Sequence, residues 1–240
     1  MKTLFNLRFF GTLLLLIFSI SGAKAITITP TVVEISPAKK VVNLTFTNDT
    51  ARDINLQSSI LLWTQTNGKD TYVPSKDIVI VPAVVTVPAG KSQSFRVSKL
   101  AFDNADLEKS YRLYLEDVSP DFIDPKAKDS GVTFKFNQNL PVYYSTAKPK
   151  ANKAFKATIC PSDNKQQTCV RVDNSEATRV TVQNISFKAA SGKNQDDVDA
   201  GVVGTVLATS FKEFRFNTPA IAAKDIVIKT TFGEATLPVK

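Results

Sequence analysis

From Ile26 onward the chain falls into short stretches rich in Val, Ile, Thr and Phe in which apolar and polar residues alternate. This period of two restricts the fold more than any other feature. It places successive side chains on opposite faces of an extended strand, whereas a helix face recurs about every 3.6 residues. The stretches occupy 26–35, 41–47, 54–63, 78–87, 93–98, 111–118 and 131–144, with turn-forming residues between them. Asn67-Gly68, after Trp63, spells a tight hairpin, and Pro88-Ala89-Gly90 a second reversal. Seven strands of this kind fit an immunoglobulin-like sandwich of about 100 residues.

Near Ser145 the composition changes to STAKPKANKA, which has no apolar face and reads as a domain boundary. Strand-like segments resume at 154–159, 167–173, 178–188, 203–216 and 225–239, with a polar, acidic loop around Gln195 to Asp199. The fold class expected is therefore all-β, with an immunoglobulin-like domain over 26–147 and a second β-sandwich over 148–240.

The first 25 residues read differently. Lys2 and Arg8 give a positive start, Phe9 to Ile20 form an apolar run, and Ala23-Lys24-Ala25 is a small-x-small cleavage site. A membrane span needs about 20 apolar residues, more than this run supplies. Residues 1–25 are expected to be a cleaved export signal, with the mature chain starting near Ile26. The signal holds three of the 30 basic residues and none of the 22 acidic ones, leaving a mature charge of +5. Without an Arg-rich tract or basic residues interleaved with aromatics, nothing points to nucleic acid.

Cys160 and Cys169 are the two cysteines of the chain, and the eight residues between them are polar turn formers. In an oxidising compartment, which the export signal implies, such a pair staples a hairpin, so a disulfide is expected. The chain contains no histidine, which removes Ser-His-Asp and Cys-His catalysis along with most zinc and copper sites. Gly90-Lys91-Ser92 resembles the end of a phosphate loop, but Val85 stands where the first glycine belongs and no helix follows. Glu116 and Asp117 are adjacent on a strand and so face opposite ways. No catalytic residue, metal site or cofactor is assigned.

The informative segment is GVTFKFNQNLPVYY, 131–144. Alternation puts Val132, Phe134, Phe136, Gln138, Leu140 and Val142 on one face, and Thr133, Lys135, Asn137, Asn139 and Tyr143 on the other. Together with ITITPTVVEISPAKKVVNLTFTND, WTQTNGKDTYVPSKDIVIVPAVVTVPAGKSQSFRV and YRLYLEDVSP, it resembles the successive signatures of periplasmic chaperones of chaperone–usher pilus pathways. The resemblance covers residues 26–147, weakens beyond them, and is closer to the archaic branch than to the P and type 1 pilus chaperones. It implies an L-shaped pair of immunoglobulin-like domains in the periplasm. Such a chaperone binds pilin subunits whose own sandwich lacks a strand, lends its G1 strand to fill the gap, and delivers them to an outer-membrane usher. Chaperone–pilin complementation is itself a standard example of strand addition. On this reading Val132, Phe134, Phe136, Gln138 and Leu140 form the subunit-binding donor strand.

The resemblance also implies a departure. Well-known members hold the subunit's terminal carboxylate with an Arg on the first strand and a Lys on the G1 strand. Here the matching positions are Val32 and Pro141. The expected replacement is Arg112 in YRLYLEDV, since Leu113 and Leu115 alternate inward and leave Arg112 on the opposite face. Lys135 is the second choice. The competing reading is a structural or adhesive β-sandwich subunit of a surface fibre, for which a single incomplete domain with an N-terminal donor extension would be expected.

Overall fold

The computed structural model describes residues 26–103, 106–120, 135–146, 155–161, 167–189, 198–201, 204–217 and 223–239. The export segment expected at 1–25 and the boundary expected at 147–148 lie outside them, as do Val132 and Phe134. Every regular element among the described residues is a strand. In the first half these are β1 (Ile26–Thr29), β2 (Val33–Ile35), β3 (Val41–Asn48), β4 (Ile54–Thr66), β5 (Lys69–Pro74), β6 (Ile78–Val81), β7 (Val84–Val87), β8 (Lys91–Lys99), β9 (Lys109–Asp117) and β10 (Asn137–Tyr144). In the second half they are β11 (Phe155–Cys160), β12 (Thr168–Asn174), β13 (Val180–Ala189), β14 (Val198–Asp199), β15 (Gly204–Val206), β16 (Ser210–Phe216), β17 (Ala223–Thr230) and β18 (Gly233–Pro238).

The first domain packs the sheet β1-β3-β8-β6 against the sheet β2-β10-β9-β4-β5, with β7 also paired to β4. Alternation supplies the core from both sides. Leu44, Phe46, Phe95 and Val97 come from one sheet, and Leu56, Leu113, Leu115 and Val142 from the other, all of them buried. A fully buried apolar side chain of this size contributes about 1.5–3 kcal/mol. Two expected strands are divided at prolines: 26–35 at Pro30 and 78–87 at Pro82. Proline cannot donate to a ladder, so each break is where the chain leaves one sheet for the other. The Asn67-Gly68 hairpin is as expected, with φ of 52° and 75° at its two central residues. The strand it returns along, β5, is absent from the strands expected from sequence, because KDTYVP shows no clear alternation.

The second domain pairs β11-β12-β16 in one sheet and β14-β13-β17-β18 in another, with β15 beside β13. Val170, Val172, Val182, Ile185, Phe187, Phe214, Ile226 and Ile228 form its separate core. Cys160 and Cys169 face each other in the β11–β12 ladder and are joined as a disulfide, as their spacing implied. The all-β, two-sandwich architecture expected from sequence is therefore the one found.

Candidate functional site

Strand β10 lies between β2 and β9 in its sheet, and its two ends have different neighbours. Val142, Tyr143 and Tyr144 pair in parallel with Val33, Glu34 and Ile35 of β2. From Asn137 to Pro141 the strand pairs with β9 alone among the described residues, so its far side is an open edge. The backbone groups on that edge can be named. Asp117 N–H donates to Phe136 C=O at 2.8 Å and Ser145 N–H donates to Ile35 C=O at 3.1 Å, so even-numbered residues turn their backbone toward β9 and odd-numbered ones toward β2 or the edge. Pro141 fits this alternation because its missing N–H falls on the unpaired side. The open edge therefore presents the N–H and C=O of Asn137 and Asn139, ready to accept another strand, while the Pro141 C=O faces Val33 of β2.

Side chains follow the same alternation. Leu140 is buried in the domain's own core. That corrects its assignment as a subunit-binding residue, because its side chain is already packed within the domain's own core. Phe136 is half-buried and packs edge-on against Phe46, with ring centroids 5.5 Å apart. Gln138, on the same side, is exposed together with Asn137 and Asn139, and so is Lys135 just before the strand. Val32 is 41% exposed ahead of β2.

Arg112 of β9 stands opposite Pro141 of β10 and opposite Leu61 of β4, on the outer face of the sheet. Its guanidinium carbon lies 3.8 Å from the centroid of the Trp63 ring, and its Nε is buried with no hydrogen-bond partner. A guanidinium flat on an indole keeps its fork of donors in one plane, suited to a carboxylate. Tyr72 of β5 stacks on the other part of this surface, 6.5 Å from Trp63 with the rings inclined at 28°. Burial and the nearby Asp70 charge push the Tyr72 hydroxyl pKa up, while Arg112 pulls it down. The phenol therefore stays protonated near neutrality and can donate.

This outer face runs directly into the junction between the domains. Trp63 and Tyr143 pack with Leu207 of the second domain in a buried cluster. On one side Arg179, stacked 3.6 Å over Tyr143, pairs with Glu108 at 2.6 Å and with Glu34. Its own backbone N–H donates to Glu108 Oε1 at 3.0 Å. On the other side Lys212 Nζ meets Asp70 Oδ2 at 2.6 Å, and Gln65 bridges to Thr205 C=O and Leu207 N–H. A cavity of about 420 Å³ between Glu34, Tyr143 and Ser145 of the first domain and Arg179 and Phe232 of the second opens next to β10. Trp63, Asp70, Arg179 and Lys212 carry no motif or spacing by which sequence reasoning could have found them as site residues. The Cys160, Cys169 and Glu213 group has both sulfurs committed to the disulfide.

Among the described residues, two sandwiches meet at a polar junction, with an open stretch of β10 edge and an aromatic-supported arginine beside it. The family of pili and flagellar-assembly chaperones, PapD N-terminal domain, matches residues 25–150, and the chain belongs to this chaperone family. No curated protein matches it by sequence. Among solved structures, the CsuC–CsuE chaperone–tip adhesion subunit pre-assembly complex from archaic chaperone–usher Csu pili of Acinetobacter baumannii is similar at 16% identity and a TM-score of 0.65, over 89% of this chain and 97% of that one. The Salmonella enterica SafA pilin in complex with the SafB chaperone is similar at 16% identity and a TM-score of 0.59, over 91% and 98%. The Pseudomonas aeruginosa CupB2 chaperone is similar at 16% identity and a TM-score of 0.56, over 88% and 97%. These likenesses carry the fold.

Proposed function

We propose that the protein is a periplasmic chaperone that captures pilin subunits through β10 and the segment before it, and passes them to an outer-membrane usher. The observation that carries the reading is the open β10 edge beside Arg112. An incomplete sandwich exposes apolar pockets and unpaired backbone groups; a donated strand answers both, its edge completing the ladder and Val132, Phe134 and Phe136 filling pockets. Three such side chains contribute roughly 5–9 kcal/mol. Association costs roughly 4–15 kcal/mol, so the ladder and an ionic anchor are needed as well. Arg112 is that anchor for the subunit's terminal carboxylate. Lys135 is the lesser candidate, being exposed where solvent screens its charge. The mature chain is divided into a capturing domain, 26–147, and a second sandwich, 148–240.

The test is co-expression with candidate pilin subunits, recovery from the periplasm, and identification of the bound partner by mass spectrometry. An incomplete β-sandwich subunit is expected. Arg112→Ala should leave a folded protein that recovers at least about tenfold less subunit, or roughly 1.4 kcal/mol. Lys135→Ala should do less. Unchanged recovery with Arg112→Ala overturns the anchor, and a partner that is not a strand-deficient sandwich overturns the function.

A further inference from the structure

Trp63 is the single tryptophan of the chain, and its position is set from the second domain. The indole N–H donates to Asp70 Oδ1 at 3.0 Å. The same oxygen accepts from Gln65 Nε2 at 2.9 Å. The other carboxylate oxygen, Oδ2, accepts from Lys212 Nζ at 2.6 Å, across 142 residues of sequence. Both charges are largely withdrawn from solvent, with side chains 23% exposed at Asp70 and 19% at Lys212. Burial by itself would raise the Asp70 pKa, but the donors Lys212, Gln65 and Trp63 outweigh it and hold the carboxyl below its ordinary value. Asp70 is thus a negative charge at the N–H edge of the indole that supports Arg112.

Such a charge is a competitor. A guanidinium on an aromatic shelf is drawn to any uncompensated carboxylate nearby, and a carboxylate ligand is repelled by it. Lys212 cancels the competitor while leaving the Asp70 bond to Trp63 in place. We infer that Lys212 of the second domain and Asp70 of the first are positioning residues for carboxylate capture: Asp70 fixes the Trp63 shelf, and Lys212 neutralises Asp70 so that Arg112 stays available to the ligand. The inference rests on the reading of Arg112 as the anchor. It gives the second domain a part in recognition although its side chains need not touch the ligand.

Trp63 reports on the site directly, so its emission can be titrated with N-acetylglycylglycine as a carboxylate probe and with the amide of the same peptide as control. The wild-type protein should show a saturable change with the carboxylate and none with the amide, and Arg112→Ala should abolish it. Lys212→Gln should weaken binding about fivefold, and Asp70→Asn with Lys212→Gln should restore it to within about twofold of wild type, because the competing charge is gone. A purely structural role in docking the domains predicts the opposite, since the double variant removes both halves of the contact. Wild-type binding by Lys212→Gln, or a double variant as weak as the single one, overturns the inference and leaves the anchor standing. No carboxylate-specific change in the wild type, or one that survives Arg112→Ala, removes the anchor and the inference together.

Discussion

Leu140 and Gln138 sit two residues apart on the same side of β10, yet one is 3% exposed and the other lies in solvent. Alternation assigns them one face and cannot tell where that face stops being core. The difference lies in the packing: Leu140 belongs to the buried core cluster and Gln138 does not. Leu140→Ala should therefore lower stability by about 2–5 kcal/mol through the cavity it leaves, measured by urea unfolding of the isolated protein. A change below the range for a solvent-exposed site would return Leu140 to the partner-binding set. Phe136 is intermediate, since its ring already rests on Phe46. Its removal mixes lost core contact with lost partner contact. Arg112 was legible because the leucines at 113 and 115 fix the parity of β9, whereas its shelf was not, because nothing in the sequence pairs Trp63 with it.

At the scale of the element, the open edge of β10 depends on which backbone groups its neighbours leave unused. Asn139 directs its N–H to the open edge, so replacing it by proline removes a donor that the free protein does not use. Asn139→Pro should keep the thermal midpoint of the free protein within about 2 °C. Loss of one ladder bond of about 0.5–1.5 kcal/mol should reduce subunit capture by roughly two- to tenfold in the periplasmic pull-down. Equal capture would mean that the partner strand does not pair along 137–141. The sequence announced most strands, since their period of two is local. It missed β5 and the divisions at Pro30 and Pro82, where sheet membership is settled by contacts distant along the chain.

For the whole molecule, the ion pairs between the domains among the described residues join carboxylates of the first domain to cations of the second. Glu108 and Glu34 hold Arg179, and Asp70 holds Lys212. Because the Asp70 pKa is depressed in the folded protein, its contribution is complete above the ordinary carboxylate range and is lost as pH falls through the depressed value. Acid should loosen the junction, seen as a larger radius in small-angle scattering as pH falls from about 5 toward 2. Asp70→Asn should show a looser junction at neutral pH and a smaller acid-dependent change. An acid response identical to wild type would exclude Asp70 from docking. What the sequence determined by itself is whatever local periodicity and spacing encode: strands, the Asn67-Gly68 turn, two sandwiches, the Cys160–Cys169 pairing and the outward parity of Arg112. Only the tertiary structure decided which part of β10 is covered by β2, which apolar residues become core, and that Lys212 stands behind Arg112 through Asp70 and Trp63. Those outcomes depend on groups far apart in sequence being brought within hydrogen-bonding distance by two separate cores, and a one-dimensional pattern carries no record of that approach.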